Sequence, residues 1–219
     1  MGYRIDGIDP RCAALLVIDM QNDFLLEGAP LEVAQGRAMM PVVNGAIAAA
    51  RASGMPVLFT RHAHNRDGTD MGMFARIYPA VAERTALIDG TPGTELYADL
   101  DRSPEEPVLA KTRYSAFHGT DLRDRLAGVR TLVLCGVTTE DCVQATARDA
   151  MFLDFEVLVL SDAAATYDHP DAGQGGMSAD EVHAATLVVL AQSTADVRTA
   201  EEFARLCGGV VGEPVVLGE

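Results

Sequence analysis

Six short apolar runs punctuate this chain, and each is the size of a strand rather than a helix. They are Ala14–Ile18, Pro56–Thr60, Val108–Ala110, Thr131–Cys135, Val157–Leu160 and a weaker one at Thr194–Val197. The first five are nearly continuous in apolar character and do not alternate in and out. Strands buried on both faces of a parallel sheet have this pattern. Segments with helical period lie between them. Met40, Val43, Ile47 and Ala50 share one helix face, and Gly54 ends that helix. Leu122 and Leu126 recur at i, i+4 within Gly119–Ala127, Thr139–Leu153 is long and Ala-rich, and Val182, Thr186, Val189 and Leu190 mark a further face. Strand–helix alternation of this kind predicts one doubly wound α/β domain spanning residues 1–219. Ligand sites in such folds lie beyond the carboxyl ends of the strands.

Charge and cysteine usage exclude several functions. Seventeen Lys and Arg face 32 Asp and Glu, a net charge of −15. An acidic surface repels phosphate backbones and anionic lipid, so nucleic-acid and membrane partners are not expected. Any anionic ligand would need a local cation. Four cysteines, Cys12, Cys135, Cys142 and Cys207, are too few for a disulfide framework and form no C-x-x-C pair. The N-terminus has no apolar signal core, and the apolar runs are far short of a membrane span. A soluble cytoplasmic protein is the expectation. Two stretches, His62–Pro107 and Asp168–Gly176, interrupt the alternation and read as loops over a site. No Walker A loop, G-x-S-x-G or H-E-x-x-H is present, and Gly173–Ser178 only approaches a dinucleotide fingerprint.

Three strand ends carry reactive groups. The first run leads into Asp19, within L-L-V-I-D-M-Q-N-D-F from Leu15 to Phe24. The third leads into Lys111, within V-L-A-K-T-R-Y-S-A-F-H-G-T-D-L from Val108 to Leu122. The fourth leads into Gly136-Val137-Thr138-Thr139-Glu140-Asp141-Cys142. In a parallel sheet these ends share one edge of the fold, where Asp19, Lys111 and Cys142 can converge. Thr138 or Thr139 is a good N-cap, which would put Cys142 in the first turn of a helix. The helix dipole and a nearby Lys111 would there favour a thiolate. Asp19 could take the thiol proton, pass it to a leaving amine and later activate water.

The three segments, in this order and spacing, resemble the isochorismatase-like cysteine hydrolases. The likeness runs from Arg11 to Phe203 and includes Ser161-Asp162-Ala163 and His183-Ala184-Ala185. It implies a single-domain Rossmann-like three-layer sandwich with a mainly parallel six-stranded sheet, assembled as a homodimer or homotetramer. It also implies that Asp19 is the acid/base, Lys111 the activating lysine and Cys142 the nucleophile. A cis peptide at Val137–Thr138 is implied too, with the N–H groups of Thr138 and Cys142 forming an oxyanion hole. Vinyl-ether hydrolases of the family generally lack the cysteine, and its amidases keep it. Cys142 therefore places this chain with enzymes that cleave a C–N bond of a small amide, ureido or carbamoyl compound, with no cofactor. The alternatives are a vinyl-ether hydrolase that retains its cysteine and a non-catalytic ligand-binding scaffold.

Departures from the family pattern bear on substrate and metal. Nicotinamidases of the family carry an Asp-x-His pair and a later His that bind metal. Here His62-Ala63-His64 stands in that place, with no His between Asn65 and Phe117. An i, i+2 pair without a third ligand is a poor metal site, so no metal is expected. Candidate substrate contacts are Phe24 and Tyr114 beside the motifs, Arg61 for a carboxylate and Gln174 in the Gly-rich loop. Arg113, like Arg61 just beyond a strand end, could also bind a carboxylate, and Phe117 and Tyr167 are weaker candidates.

Overall fold

Residues 2–208 are described by the computed structural model; Met1 and residues 209–219, the ends of the expected 1–219 domain, lie outside the described residues. Six strands form one sheet: β1 Ala13–Ile18, β2 Val57–His62, β3 Val108–Lys111, β4 Thr131–Val137, β5 Glu156–Ala165 and β6 Asp196–Arg198. Their order is β3-β2-β1-β4-β5-β6, and every neighbouring pair is parallel. The strand order reverses between β1 and β4, which is the switch point where a doubly wound sheet opens a crevice.

The apolar runs are explained by burial on both faces. Leu15 and Val17 of β1 face one core together with Val133, Cys135 and Val137 of β4. Ala14, Leu16 and Ile18 face the other, with Leu132 and Leu134. Four helices of two turns or more cover the sheet: α1 Met40–Ala52, α2 Gln144–Phe152, α3 Ala179–Ser193 and α4 Ala200–Cys207. Helix α1 packs against α4 and buries Met40, Val43, Ile47 and Ala50 in the first core, as its spacing predicts. Helices α2 and α3 close the second core through Ala147, Ala150 and Leu190. Val189 differs from expectation. Val182, Thr186 and Leu190 follow an i, i+4, i+8 row and are buried, whereas Val189 lies off that row, 45% exposed.

Three segments are shorter or longer than their sequence patterns. Only Leu122–Arg125 is helical within Gly119–Ala127, although Leu122 and Leu126 are both buried. Strand β4 continues through Gly136 and Val137, and β5 through Ser161 to Ala165 past a register shift opposite β4. Gly136 makes the β4 extension possible. Its φ is +116°, and a Cβ there would strike the backbone of Ile18, with the Ile18 nitrogen 2.7 Å away. No L side chain fits this seam, so β1 and β4 meet at a glycine just before both strands give way to the site. Among the described residues, no helix is long and apolar enough to cross a membrane.

Candidate active site

Asp19 follows β1 directly and adopts φ +53°. That left-handed conformation is tolerated by Asp better than by most side chains, and such residues cluster at functional sites. Thr60 of β2 pins it. The Asp19 N–H donates to the Thr60 carbonyl at 3.2 Å, and the Thr60 hydroxyl donates to Asp19 Oδ1 at 2.7 Å. The other carboxylate oxygen, Oδ2, lies 2.6 Å from Lys111 Nζ. Lys111 ends β3 and is 1% exposed. Its ammonium also donates to the Arg113 carbonyl at 3.0 Å and to Cys142 Sγ at 3.3 Å. Two hydrogen bonds and one ion pair thus surround the ammonium, the company a buried charge needs to be tolerated.

Cys142 sits in the turn Thr139–Val143 that joins β4 to α2. The turn is wider than an α-helical one: the Val143 N–H reaches back five residues to the Thr138 carbonyl, at 3.1 Å. One-turn widenings of this kind are frequent at functional sites. The Val137–Thr138 peptide before it is cis. Neither Thr138 nor Thr139 caps the turn with its side chain, contrary to expectation. The Thr139 hydroxyl is instead paired with His183 Nδ1 at 2.8 Å, and His183 Nε2 with the Ser161 carbonyl at 3.0 Å. His183 of α3 therefore ties the cysteine turn to β5.

Protonation at this cluster differs from the sequence-based expectation of a thiolate. Burial pushes the Cys142 thiol well above its ordinary range; Lys111 opposes that shift, while Asp19 and Asp141 add to it. For Lys111, burial works against the charge, but Asp19 and Cys142 outweigh it and hold the ammonium above its usual value. The physical reason is charge balance. One ammonium, one carboxylate and one neutral thiol sum to zero, whereas a thiolate beside an ionised Asp19 would leave a net charge in a dry site. The same neutral sum is reached if the proton moves from sulfur to Asp19.

The cluster opens on a pocket of about 310 Å³ of empty volume, counting its mouth. Phe24, Leu31, Phe74 and Leu87 give it apolar walls, with Tyr78, Tyr114, Tyr167, His62, Thr138, Asp141 and Cys142 around them. Of the residues expected at the site, Asp19, Lys111 and Cys142 are brought together, and Thr138, Phe24, Tyr114 and Tyr167 border the pocket. Arg61 does not: its guanidinium is paired with Asp89 at 2.7 Å and lies outside the lining. Gln174 is exposed on the Asp168–Gly176 loop, also outside the lining. Phe117 packs in the other core against Phe155. Arg113 is spent on the carbonyls of Asp70 and Thr112, at 2.9 and 2.6 Å.

Several contributors carried no usable signal in the sequence. Tyr78, Phe74 and Leu87 come from the long loop after β2, and nothing local aims them inward. Gln21 clamps the ends of β1 and β2: its Nε2 donates to the His62 carbonyl at 3.0 Å, and its Oε1 accepts from the His62 N–H at 2.7 Å. Asp23 accepts from the Leu87 N–H at 2.6 Å, which fixes that loop to the first turn after β1. The M-Q-N-D-F segment is thus mostly scaffold around one reactive residue.

The two histidines face each other, Nε2 to Nε2 at 3.2 Å, both buried. Burial pushes both imidazoles below their ordinary value, with Lys111 and Arg113 adding to the shift. A neutral pair sharing one N–H satisfies that contact. His64 Nδ1 lies 3.5 Å from Asp70 Oδ1. Asp19, His62 and Cys142 also bring one donor atom each within 4.8 Å of one another. The Lys111 ammonium already touches two of the three and is the cation of that cluster.

Comparison with known proteins agrees with this geometry. The Isochorismatase domain profile matches residues 13–202. The chain is 40% identical to an Arabidopsis thaliana protein named as a probable inactive nicotinamidase, over 71% of this chain and 81% of that one. It is 35% identical to the ureidoacrylate amidohydrolase RutB of Pantoea ananatis, over 72% of this chain and 70% of that one. The crystal structure of a cysteine hydrolase from Pseudomonas syringae pv. phaseolicola 1448A is similar with a TM-score of 0.90 at 32% identity, covering 95% and 97% of the two chains.

Proposed function

The chain belongs to the isochorismatase domain family, and from that premise we propose that it is a cysteine amidohydrolase acting on a small amide, ureido or carbamoyl compound. The observation that carries this reading is the Lys111 ammonium lying between Asp19 Oδ2, at 2.6 Å, and Cys142 Sγ, at 3.3 Å, beside the pocket that Cys142 lines. The relative named as an amidohydrolase supports the choice of a C–N bond.

The chemistry runs through a thioester. Substrate enters, and Asp19 takes the Cys142 proton while Lys111 stabilises the sulfur anion as it forms. The thiolate attacks the carbonyl carbon, and the C=O pair moves onto oxygen. The backbone N–H groups of Thr138 and Cys142 hold that oxyanion, each donor worth about 3–4 kcal/mol in the transition state. On collapse the C–N bond breaks, and Asp19 returns its proton to the departing nitrogen. Asp19 then removes a proton from water, whose oxygen attacks the thioester carbon; the C–S bond breaks, the carboxylic or carbamic acid leaves, and Asp19 returns the proton to the sulfur to restore the thiol. A resting thiol suits this cycle, because the charge-separated pair is needed only when a carbonyl is present to receive it. Four unpaired thiols fit a reducing, cytoplasmic setting.

The test is an ammonia-release screen with purified protein over ureidoacrylate, biuret, N-carbamoyl amino acids, nicotinamide and maleamate. At least one compound is expected to turn over with kcat/KM near or above about 10⁴ M⁻¹s⁻¹, the lower end of ordinary enzymes. Hydrolysis of a vinyl ether with no amide activity would overturn the reading in favour of the other branch. Tight binding without turnover would instead leave a ligand-binding scaffold.

A further inference from the structure

The polar groups around the pocket are unequal in sign. Asp141 lines it one residue before Cys142. Its Oδ2 accepts from the Tyr78 hydroxyl at 3.1 Å, and the Tyr78 oxygen lies 2.8 Å from the Tyr114 oxygen. A phenol has one proton. Tyr78 gives its proton to Asp141, so Tyr114 must give its own to Tyr78. The chain Tyr114→Tyr78→Asp141 therefore uses both phenol protons within the wall and presents lone pairs to a ligand. Asp141 Oδ1 accepts no hydrogen bond among the described residues. Glu140, next to it in the chain but outside the lining, is paired with His169 at 3.1 Å.

Among the described residues, no Lys or Arg lines the pocket to answer Asp141. Lys111 is not in the lining; it is ion-paired with Asp19 and hydrogen-bonded to Cys142 and the Arg113 carbonyl. Arg61 is paired with Asp89, and Arg113 with two carbonyls. His62, which does line the pocket, is kept neutral by burial and by Lys111. A carboxylate-bearing ligand would thus lose its water, gain few donors and face a fixed anion.

We infer that Asp141 sets specificity: the pocket takes amides whose far end is cationic, or neutral and rich in N–H donors, and disfavours amides that carry a carboxylate. This rests on the amidohydrolase reading, since it concerns what reaches Cys142. It separates this chain from its ureidoacrylate-hydrolysing relative, whose named substrate bears a carboxylate. In the ammonia-release screen, biuret and nicotinamide should rank above ureidoacrylate, maleamate and the N-carbamoyl amino acids.

Charge selection can be read without knowing the substrate. Three methanethiosulfonates, 2-aminoethyl, ethyl and 2-sulfonatoethyl, deliver side groups of similar size with positive, zero and negative charge. The labelling rate at Cys142 is followed by peptide mass, each divided by its rate on free cysteine. At pH 7.5 the cationic reagent should outrun the anionic one by at least about tenfold, as a unit charge a few ångströms away requires. Asp141→Asn should bring the two within about threefold. Burial, then Glu140, raises the Asp141 carboxyl to about 6, with Tyr78, His169 and Lys111 pulling the other way. Protonation removes the anion, so the preference should shrink between pH 7.5 and pH 5. Equal rates, or a faster anionic reagent, in the native protein would overturn the inference and leave the amidohydrolase reading standing.

Discussion

Cys142→Ala is expected to drop turnover to background, a loss of at least about 10⁴-fold in kcat on whichever amide the screen identifies. The fold should survive. The substitution removes one small buried sulfur from a residue that behaves as an apolar side chain, at a cost of about 1 kcal/mol. Cys142→Ser is the informative companion. It keeps a hydrogen-bonding atom beside Lys111 but replaces a thiol with a far less acidic hydroxyl. It should be as inactive as the alanine variant. A serine variant near native rates would mean that the group at 142 is needed only for its hydrogen bond, and the nucleophile would have to be water.

The second large effect is on stability. Lys111 is the cation that allows Asp19, 0% exposed, to keep its charge in the interior. Lys111→Met removes it and leaves a buried carboxylate unpaired, which costs about 3–5 kcal/mol. For a chain of this size that lowers Tm by roughly 6–20 °C. The double variant Asp19→Asn with Lys111→Met has no charge left to strand. It should regain most of the lost stability while remaining inactive. Thermal unfolding of the wild type, the two single variants and the double variant closes the cycle. If the effects of Lys111→Met and Asp19→Asn simply add, the two side chains are not coupled in the way their 2.6 Å contact requires.

Both effects concern residues whose placement was legible from sequence, and the reason is geometric. Near-continuous apolar runs fix a parallel sheet, and a parallel sheet puts every strand's carboxyl end on one side. Asp19 and Lys111 follow their runs immediately, and Cys142 follows within one turn of β4, so their convergence depends on no loop being placed correctly. The same logic marks the limits. Arg61 also stands near a strand end, but its direction is set by Asp89, 28 positions later on the loop, which no local pattern announces. Tyr78 and Phe74 come from that loop as well, and long-range ties such as Asp23 to the Leu87 N–H and the His64 N–H to the Leu87 carbonyl bring its later part to the site. Thr139 has the composition of a cap, yet His183 across the core claims its hydroxyl.

The thiol illustrates a further limit. A helix start and a nearby lysine argue for a lowered pKa, and both features are present in the sequence. Desolvation is not visible there. Once β1, β3 and β4 enclose the sulfur, burial becomes the leading influence and reverses the direction. Asp141 is the converse case. In the sequence it is one residue of the segment that leads to Cys142, whereas in the fold it lines the ligand space and carries the charge preference proposed above.

The covalent intermediate offers the most direct measurement. Native protein is mixed with a turning-over amide, quenched in acid within the first turnovers, digested and weighed. The peptide containing Cys142 should carry the acyl part of the substrate, should lose it to hydroxylamine as a thioester does, and should be unmodified in Cys142→Ala. Sustained ammonia release with Cys142 never acylated, or with Cys142→Ala retaining the native rate, would contradict a nucleophilic cysteine.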